Sequence, residues 1–474
     1  METRGGSVAG SADSHQGALI GAAPPPATGS PGTRAPSASA IARASGLNLA
    51  GRLTSGAASL GLAVLTTNVL DTHGRGIYAI LTTWAGIAMT IITGGTPVLA
   101  ADLIHGRERE PVLHGASFAI AVGAALVLIP LAMTVSLFTA TVTLAALVYA
   151  AAIAVLVTYS NFEMAIAQAR GDVLRVSLTD IAMALFPLVA TAIAAVIFQP
   201  TATMLVGAWA AGALVTATIQ FTGALVAGQL VLRRAWGLAA SITRRSFRVA
   251  LANGTALLCS RIDVLVVAAV ISASAAGVYS IPVALSASLL LLSRALLTAT
   301  YHSIMTAPAS EVGARLGAAL RHSVIVVLVG GSLSVPVVAV TAGFVFGGPY
   351  SEIWQPYAIL VPASAFSCVI EVLRHFLVTR LERQREFLLT AVGMLILNGV
   401  LAVVGAAEFG LLGAAASTTI TYACAALVLI AFCARWLSLS MLELAMPRRS
   451  DLGAYWRVLR PILAKLRPSD PGAR

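Results

Sequence analysis

The sequence predicts an all-α polytopic membrane protein, with twelve transmembrane helices in two six-helix lobes related by a parallel repeat. Three observations predict it. First, of 474 residues 58% are apolar and only 10% charged, and the mean hydropathy is +0.89. A soluble domain carries about 25% charged residues, so this chain cannot cover a soluble surface, and it is too apolar to be disordered throughout. Second, the apolar residues gather into twelve runs, each about as long as a helix that crosses hydrocarbon. Third, the arginines fall in alternate connections between those runs, as topology-determining charges do.

In chain order, residues 1–42 are an Ala/Gly/Ser/Pro-rich tail, including Pro24, Pro25 and Pro26, and cannot bury a core. The predicted spans are 46–70, 77–103, 113–139, 143–169, 175–198, 202–228, 249–272, 276–305, 318–345, 354–378, 387–407 and 409–434. A helix satisfies its own backbone in lipid and a lone strand does not, so runs of this length read as helices. The first lobe is 43–228 and the second 249–436, joined by an amphipathic linker at 229–248. The tail 437–474 is basic, and Trp456, Leu459, Ile462 and Leu466 recur at near-helical spacing. It reads as a helix lying on an anionic leaflet or as a solvated basic tail.

The net charge of +11 belongs to topology rather than to nucleic acid. One set of connections carries Arg107 and Arg109, Arg170 and Arg175, the cluster from Arg233 to Arg248, Arg315 and Arg321, and Arg380, Arg383 and Arg385. The opposite set carries Arg75 alone. Both termini are therefore expected in the cytoplasm. Lys465 is the only lysine, and the Arg, Ala and Gly usage reads as codon bias in a GC-rich bacterial genome, not as a mechanistic signal; the expected location is the bacterial inner membrane. The outward connections are too short for an extracytoplasmic catalytic loop. The four cysteines, Cys259, Cys368, Cys424 and Cys433, lie in apolar stretches without metal-ligand spacing. No enzyme motif and no cofactor are expected.

The lobes repeat. Gly76-Ile77-Tyr78-Ala79-Ile80 opens span 2 and Gly277-Val278-Tyr279-Ser280-Ile281 opens span 8, while Gly207-Ala208 in span 6 matches Gly413-Ala414 in span 12. An even number of spans per unit gives a repeat about an axis along the membrane normal. Over residues 43–436 the chain resembles the polysaccharide flippases of the MOP exporter superfamily, which also holds lipid II flippases and multidrug (MATE) antiporters. The resemblance rests on Arg261-Ile262-Asp263 followed by Gly277-Val278-Tyr279, on Gly74-Arg75-Gly76-Ile77-Tyr78, and on Gly410-Leu411-Leu412-Gly413. It implies transfer of a polyprenyl-diphosphate-linked oligosaccharide across the bilayer by alternating access. The partners it implies are that lipid-linked glycan, a polymerase and glycosyltransferases, with no nucleic acid.

Charges inside spans are costly and face protein interiors. Arg261 is the expected diphosphate clamp, because guanidinium binds phosphate oxygens bidentately. Asp263, two residues on, projects the opposite way and is expected to hold a neighbouring helix or carry a coupling proton. Arg294 in span 8 sits about 10 Å nearer the cytoplasm and would form a second tier. Arg52 would line the inner mouth. Glu163 and Asp180 lie at one height on helices joined by the turn at Gly171, and would form a proton site or pair with Arg170 and Arg175. Glu371 and Arg374, three apart, are expected to pair. Coupling to H+ or Na+ is one option, uncoupled transfer another. The rival readings are a lipid II flippase, which usually has fourteen spans, a multidrug exporter, which would want an acidic cavity, and a membrane polysaccharide polymerase.

Overall fold

A computed structural model of the chain describes residues 38–445, apart from 105–106, 138–141, 306 and 382. The predicted tails lie outside the described residues up to 37 and from 446 onward. Every regular element among the described residues is helical. The N-terminal helices are α1 (Ala38–Val69), α2 (Thr72–Thr93), α3 (Thr96–Ile104), α4 (Glu110–Ser136), α5 (Leu144–Ala169), α6 (Val173–Ile197) and α7 (Ala202–Val226). The C-terminal helices are α8 (Ala235–Cys259), α9 (Ile262–Val270), α10 (Ala273–Met305), α11 (Ala309–Val345), α12 (Trp354–His375), α13 (Gln384–Trp436) and α14 (Met441–Ala445). Among the described residues nine helices are long and apolar enough to cross a membrane, or ten if α8 and α9 cross as one bent span. The apolar part of α1, Leu53–Val69, is shorter.

Local sequence explains where the helices begin. Asp71, Thr143, Asp172 and Thr201 each accept a hydrogen bond from a backbone N–H of the following turn, so an orphan donor is satisfied at four helix starts. The buried faces are dominated by small residues. Ala146, Ala150 and Ala154 on α5 and Ala210, Ala213 and Ala217 on α7 are examples, and small side chains let backbones approach closely in a bilayer.

Two stretches depart from the runs expected of the sequence. Span 2 is broken at Gly94 and Gly95 into α2 and α3. The stretch at 235–248, expected as part of a surface linker, is instead the first half of the unbroken helix α8. No glycine or proline interrupts 238–253, and Ala235, Ala239, Ile242, Ser246 and Ala250 form one buried stripe through it. The break comes later, at Ser260 and Arg261, where the axis bends by 47° into α9. The bend frees the carbonyl of Cys259, and buried Asn398 of α13 donates to it at 2.8 Å. Membrane helices tolerate a break where a neighbour supplies the missing bond.

Helix α13 folds back on itself at Gly410, whose φ of 60° and ψ of −138° suit glycine alone. Across the fold Ser417 Oγ donates to the Leu401 carbonyl, sixteen residues away, at 2.7 Å. The arms touch at Gly405 and Gly413, where a Cβ on Gly405 would meet the Gly413 carbonyl oxygen at 2.6 Å. The two arms coincide with the predicted spans 387–407 and 409–434.

Candidate functional site

The two glycines of the repeat meet. A Cβ on Gly76 would lie 2.6 Å from the carbonyl carbon of Ala273 at the start of α10, and closer still to its oxygen. A Cβ on Gly277 would lie 2.8 Å from the backbone nitrogen of Gly76 and press on the carbonyl of Thr72. α2 and α10 therefore cross backbone on backbone at their N-terminal ends. This is the end away from the arginine-rich connections. Nearby, Asn68 Nδ2 donates to the Val345 carbonyl at 2.8 Å, a second tie between the N- and C-terminal helices.

Behind that crossing lies a cavity of about 210 Å³ between the N- and C-terminal helices. α1 contributes Ser59, α2 contributes Arg75, Tyr78, Thr82 and Thr83, α7 contributes Trp209, the α8–α9 break contributes Arg261, and α10 contributes Ser280. Two guanidinium groups thus line one space, and among the described residues no carboxylate lines it. Arg261 reaches it because the helix is broken there; as the residue before α9 it has the non-helical backbone φ of −130°.

Arg75, the one arginine in the opposite set of connections, lies in the first turn of α2 and is 6% exposed. Its guanidinium carbon sits 5.1 Å from the Tyr78 ring centroid, within cation–π range. Arg75 Nε and the hydroxyls of Tyr78 and Tyr350 are buried without a hydrogen-bond partner among the described residues. Buried donors without partners are uncommon and expensive, and a ligand anion would satisfy them. The sequence singled out Arg261 for this site and marked Arg75 only as the one arginine of its set of connections.

Asp263 takes another direction. It is 1% exposed and absent from the cavity lining. Its Oδ1 accepts from the Val264 N–H at 2.8 Å, and its Oδ2 accepts from the Tyr279 hydroxyl at 3.0 Å and from Thr418 Oγ1 at 3.1 Å. It joins α9 to α10 and to the second arm of α13.

Glu163 is buried on α5 in a cluster that the sequence did not reveal. Ser117 Oγ donates to its Oε1 at 2.7 Å, His114 Nδ1 bonds its Oε2 at 2.8 Å, and Arg175 stands 3.5 Å from Oε2. The other ring nitrogen of His114 lies 3.3 Å from Glu110 Oε1, and Arg170 bonds the same carboxylate. Asp180 lies on α6, where its backbone carbonyl accepts from Ser55 of α1. The expected pair at Glu371 and Arg374 forms at 3.8 Å. Arg52 and Arg294 fall on α1 and α10, and their side chains lie outside the described residues.

A match to the family described as "Polysaccharide biosynthesis protein" runs over residues 41–320, more than half of the chain. The chain belongs to this family. No curated protein matches it in sequence. Solved structures share its fold. A MATE transporter in complex with MaL6 is 13% identical, with a TM-score of 0.63 over 84% of this chain and 96% of that one. A MOP superfamily transporter from Pyrococcus furiosus is 14% identical, with a TM-score of 0.61 over 84% and 95%. A Vibrio cholerae MATE transporter is 14% identical, with a TM-score of 0.59 over 85% and 97%. Identities this low carry the fold alone. This family member is thus a multi-pass membrane protein with the architecture of MOP superfamily transporters.

Proposed function

We propose that the protein is a flippase that carries a polyprenyl-diphosphate-linked oligosaccharide across the bacterial inner membrane by alternating access. The observation that carries the reading is the cavity in which Arg75, from the N-terminal helices, and Arg261, from the C-terminal ones, line one space with no acid among its described lining residues. Two guanidinium groups, one of them with a buried Nε–H that lacks a partner among the described residues, suit the two phosphates of a diphosphate. Hydroxyls of Ser59, Thr82, Thr83 and Ser280 and the face of Trp209 line the same space and suit the first sugar.

Counting α1 as a span and the arms of α13 separately brings the helices to twelve, in two sets of six with Gly76 and Gly277 at equivalent places. On this orientation the α2–α10 crossing closes the outer end, and both termini are cytoplasmic. Arg52 and Arg294 are assigned to the inner mouth and a deeper tier of the same path. Asp263 is assigned to holding α9, α10 and α13 together. If transfer is coupled to H+, Glu163 with His114 is the pair we assign to it, with Asp180 on the adjoining helix. An exporter of cationic drugs, the main rival on this fold, would need acidic residues in the lining, which carries none among its described residues.

The test is export in cells. In a strain lacking the gene, Arg261→Ala at wild-type protein level is expected to give no surface polymer and to leave single lipid-linked repeat units on the inner leaflet. Normal polymer would overturn the clamp. Repeat units on the outer leaflet would point to a polymerase.

A further inference from the structure

A second cavity, of about 540 Å³, opens sideways between α6 and α7, away from the cavity between the two sets of helices. Its arginine-rich end is framed by Arg170 and Arg175, and its walls are apolar, with Leu178, Phe186 and Ile219 among them. Leu178 and Ile219 are both 56% exposed, so the groove faces the surrounding lipid rather than the protein core. Asp172 also stands at the mouth, but its Oδ1 is spent on the Arg175 backbone N–H at 3.0 Å, capping α6. Arg175 reaches Glu163 with one nitrogen only, at 3.5 Å, and Arg170 is 43% exposed beside Glu110. Both guanidinium groups keep N–H donors for a ligand at the mouth.

The groove wall holds a polar group that its apolar surroundings do not explain. Gln220 is 8% exposed; its Nε2 donates to Thr179 Oγ1 at 3.2 Å, and its Oε1 is buried with no partner among the described residues. Turning the amide over would let the Thr179 hydroxyl donate to Oε1 and leave Nε2 as the unpartnered donor in the groove wall, which a rotation of the side chain would bring to a ligand in the groove. Thr179 lies one helical turn beyond Arg175, about 6 Å deeper, and Phe186 about 16 Å along α6 from Arg175. This is the layering of a glycerophospholipid, with phosphate first, ester oxygens a few ångströms below, and hydrocarbon beyond. A polyprenyl phosphate is hydrocarbon directly below its phosphate and would leave Gln220 unpaired.

We propose that this groove binds an anionic glycerophospholipid of the arginine-side leaflet. Its phosphate sits between Arg170 and Arg175, an ester oxygen on Gln220 Nε2, and an acyl chain against Leu178, Phe186 and Ile219. The full-length protein in detergent is titrated with phosphatidylglycerol or phosphatidylcholine bearing a photoreactive acyl chain, and cross-links to α6 and α7 peptides are read by mass spectrometry. Phosphatidylglycerol is expected to label these peptides about tenfold more strongly than phosphatidylcholine, and Arg170→Gln and Gln220→Leu each to weaken that labelling several-fold. Ile219→Trp, at an exposed wall position, is expected to abolish it by filling the groove, with unchanged elution on size exclusion. Equal labelling by both lipids, or labelling indifferent to all three variants, overturns the proposal. Displacement of phosphatidylglycerol by a polyprenyl phosphate at lower concentration also overturns it and gives the groove to the transported lipid.

Discussion

The crossing of α2 and α10 makes the substitution Gly76→Ala informative. The added methyl would lie 2.6 Å from the Ala273 carbonyl carbon, where ordinary contact begins at 3.4 Å. The obstacle is backbone and cannot rotate aside, so the helices must part by roughly 0.8 Å or more at a cost of about 1–3 kcal/mol. That cost falls on the arrangement in which this end is closed, and on little else. A two-state protein would therefore shift about 5- to 150-fold toward the state open at this end. Ser280, a buried residue of the cavity lining, reports the shift when replaced by cysteine in a background without the native cysteines. Its labelling by a membrane-impermeant maleimide added from outside is expected to accelerate by that factor in Gly76→Ala. Gly277→Ala should do the same, and the double variant should gain less than the product, because both methyls strain one contact. An unchanged labelling rate in correctly inserted Gly76→Ala protein would refute the reasoning.

Two further outcomes follow from named contacts. Asp263→Ala strands the Tyr279 hydroxyl and Thr418 Oγ1 in a dry core, and about 1–3 kcal/mol of lost stability per stranded group is expected. Thermal melting of the purified protein checks this, and a melting temperature equal to wild type would remove Asp263 from its anchoring role. Gly410→Ala forces a side chain into a backbone conformation that glycine alone adopts readily. The expected loss is about 1–3 kcal/mol, read as a lower melting temperature and lower yield of monodisperse protein.

The membrane-spanning architecture was legible in the sequence because apolar run length and arginine alternation are local properties of the chain. Gly76 and Gly277 stood out in the sequence because each comes two residues before a Tyr, and the structure brings the two together backbone on backbone. Arg261 and Asp263 do point apart, but through the break in the helix at Arg261 rather than through the unbroken helical spacing the sequence suggested. Sequence could not say that the helix breaks between Cys259 and Ile262, because the bond that makes the break tolerable comes from Asn398, far along the chain. His114 escaped for the same reason. It lies in an ordinary apolar run, and only the fold brings it to Glu163, 49 residues away. Arg75 was counted from the sequence only as the one arginine of its set of connections, since spacing does not distinguish a loop from a first helical turn buried against another helix.

The central claim is that the paired arginines hold the diphosphate of a lipid-linked glycan during transfer between leaflets. The most direct test is reconstitution in liposomes with a fluorescent polyprenyl-diphosphate oligosaccharide, following its arrival at the outer leaflet with a membrane-impermeant quencher. Protein-dependent transfer is expected, and Arg75→Ala and Arg261→Ala each reduce it at least tenfold, the loss expected when a charge-assisted hydrogen bond is removed. Transfer at the wild-type rate in both variants, or none by the wild-type protein with or without a proton or sodium gradient, would contradict the claim.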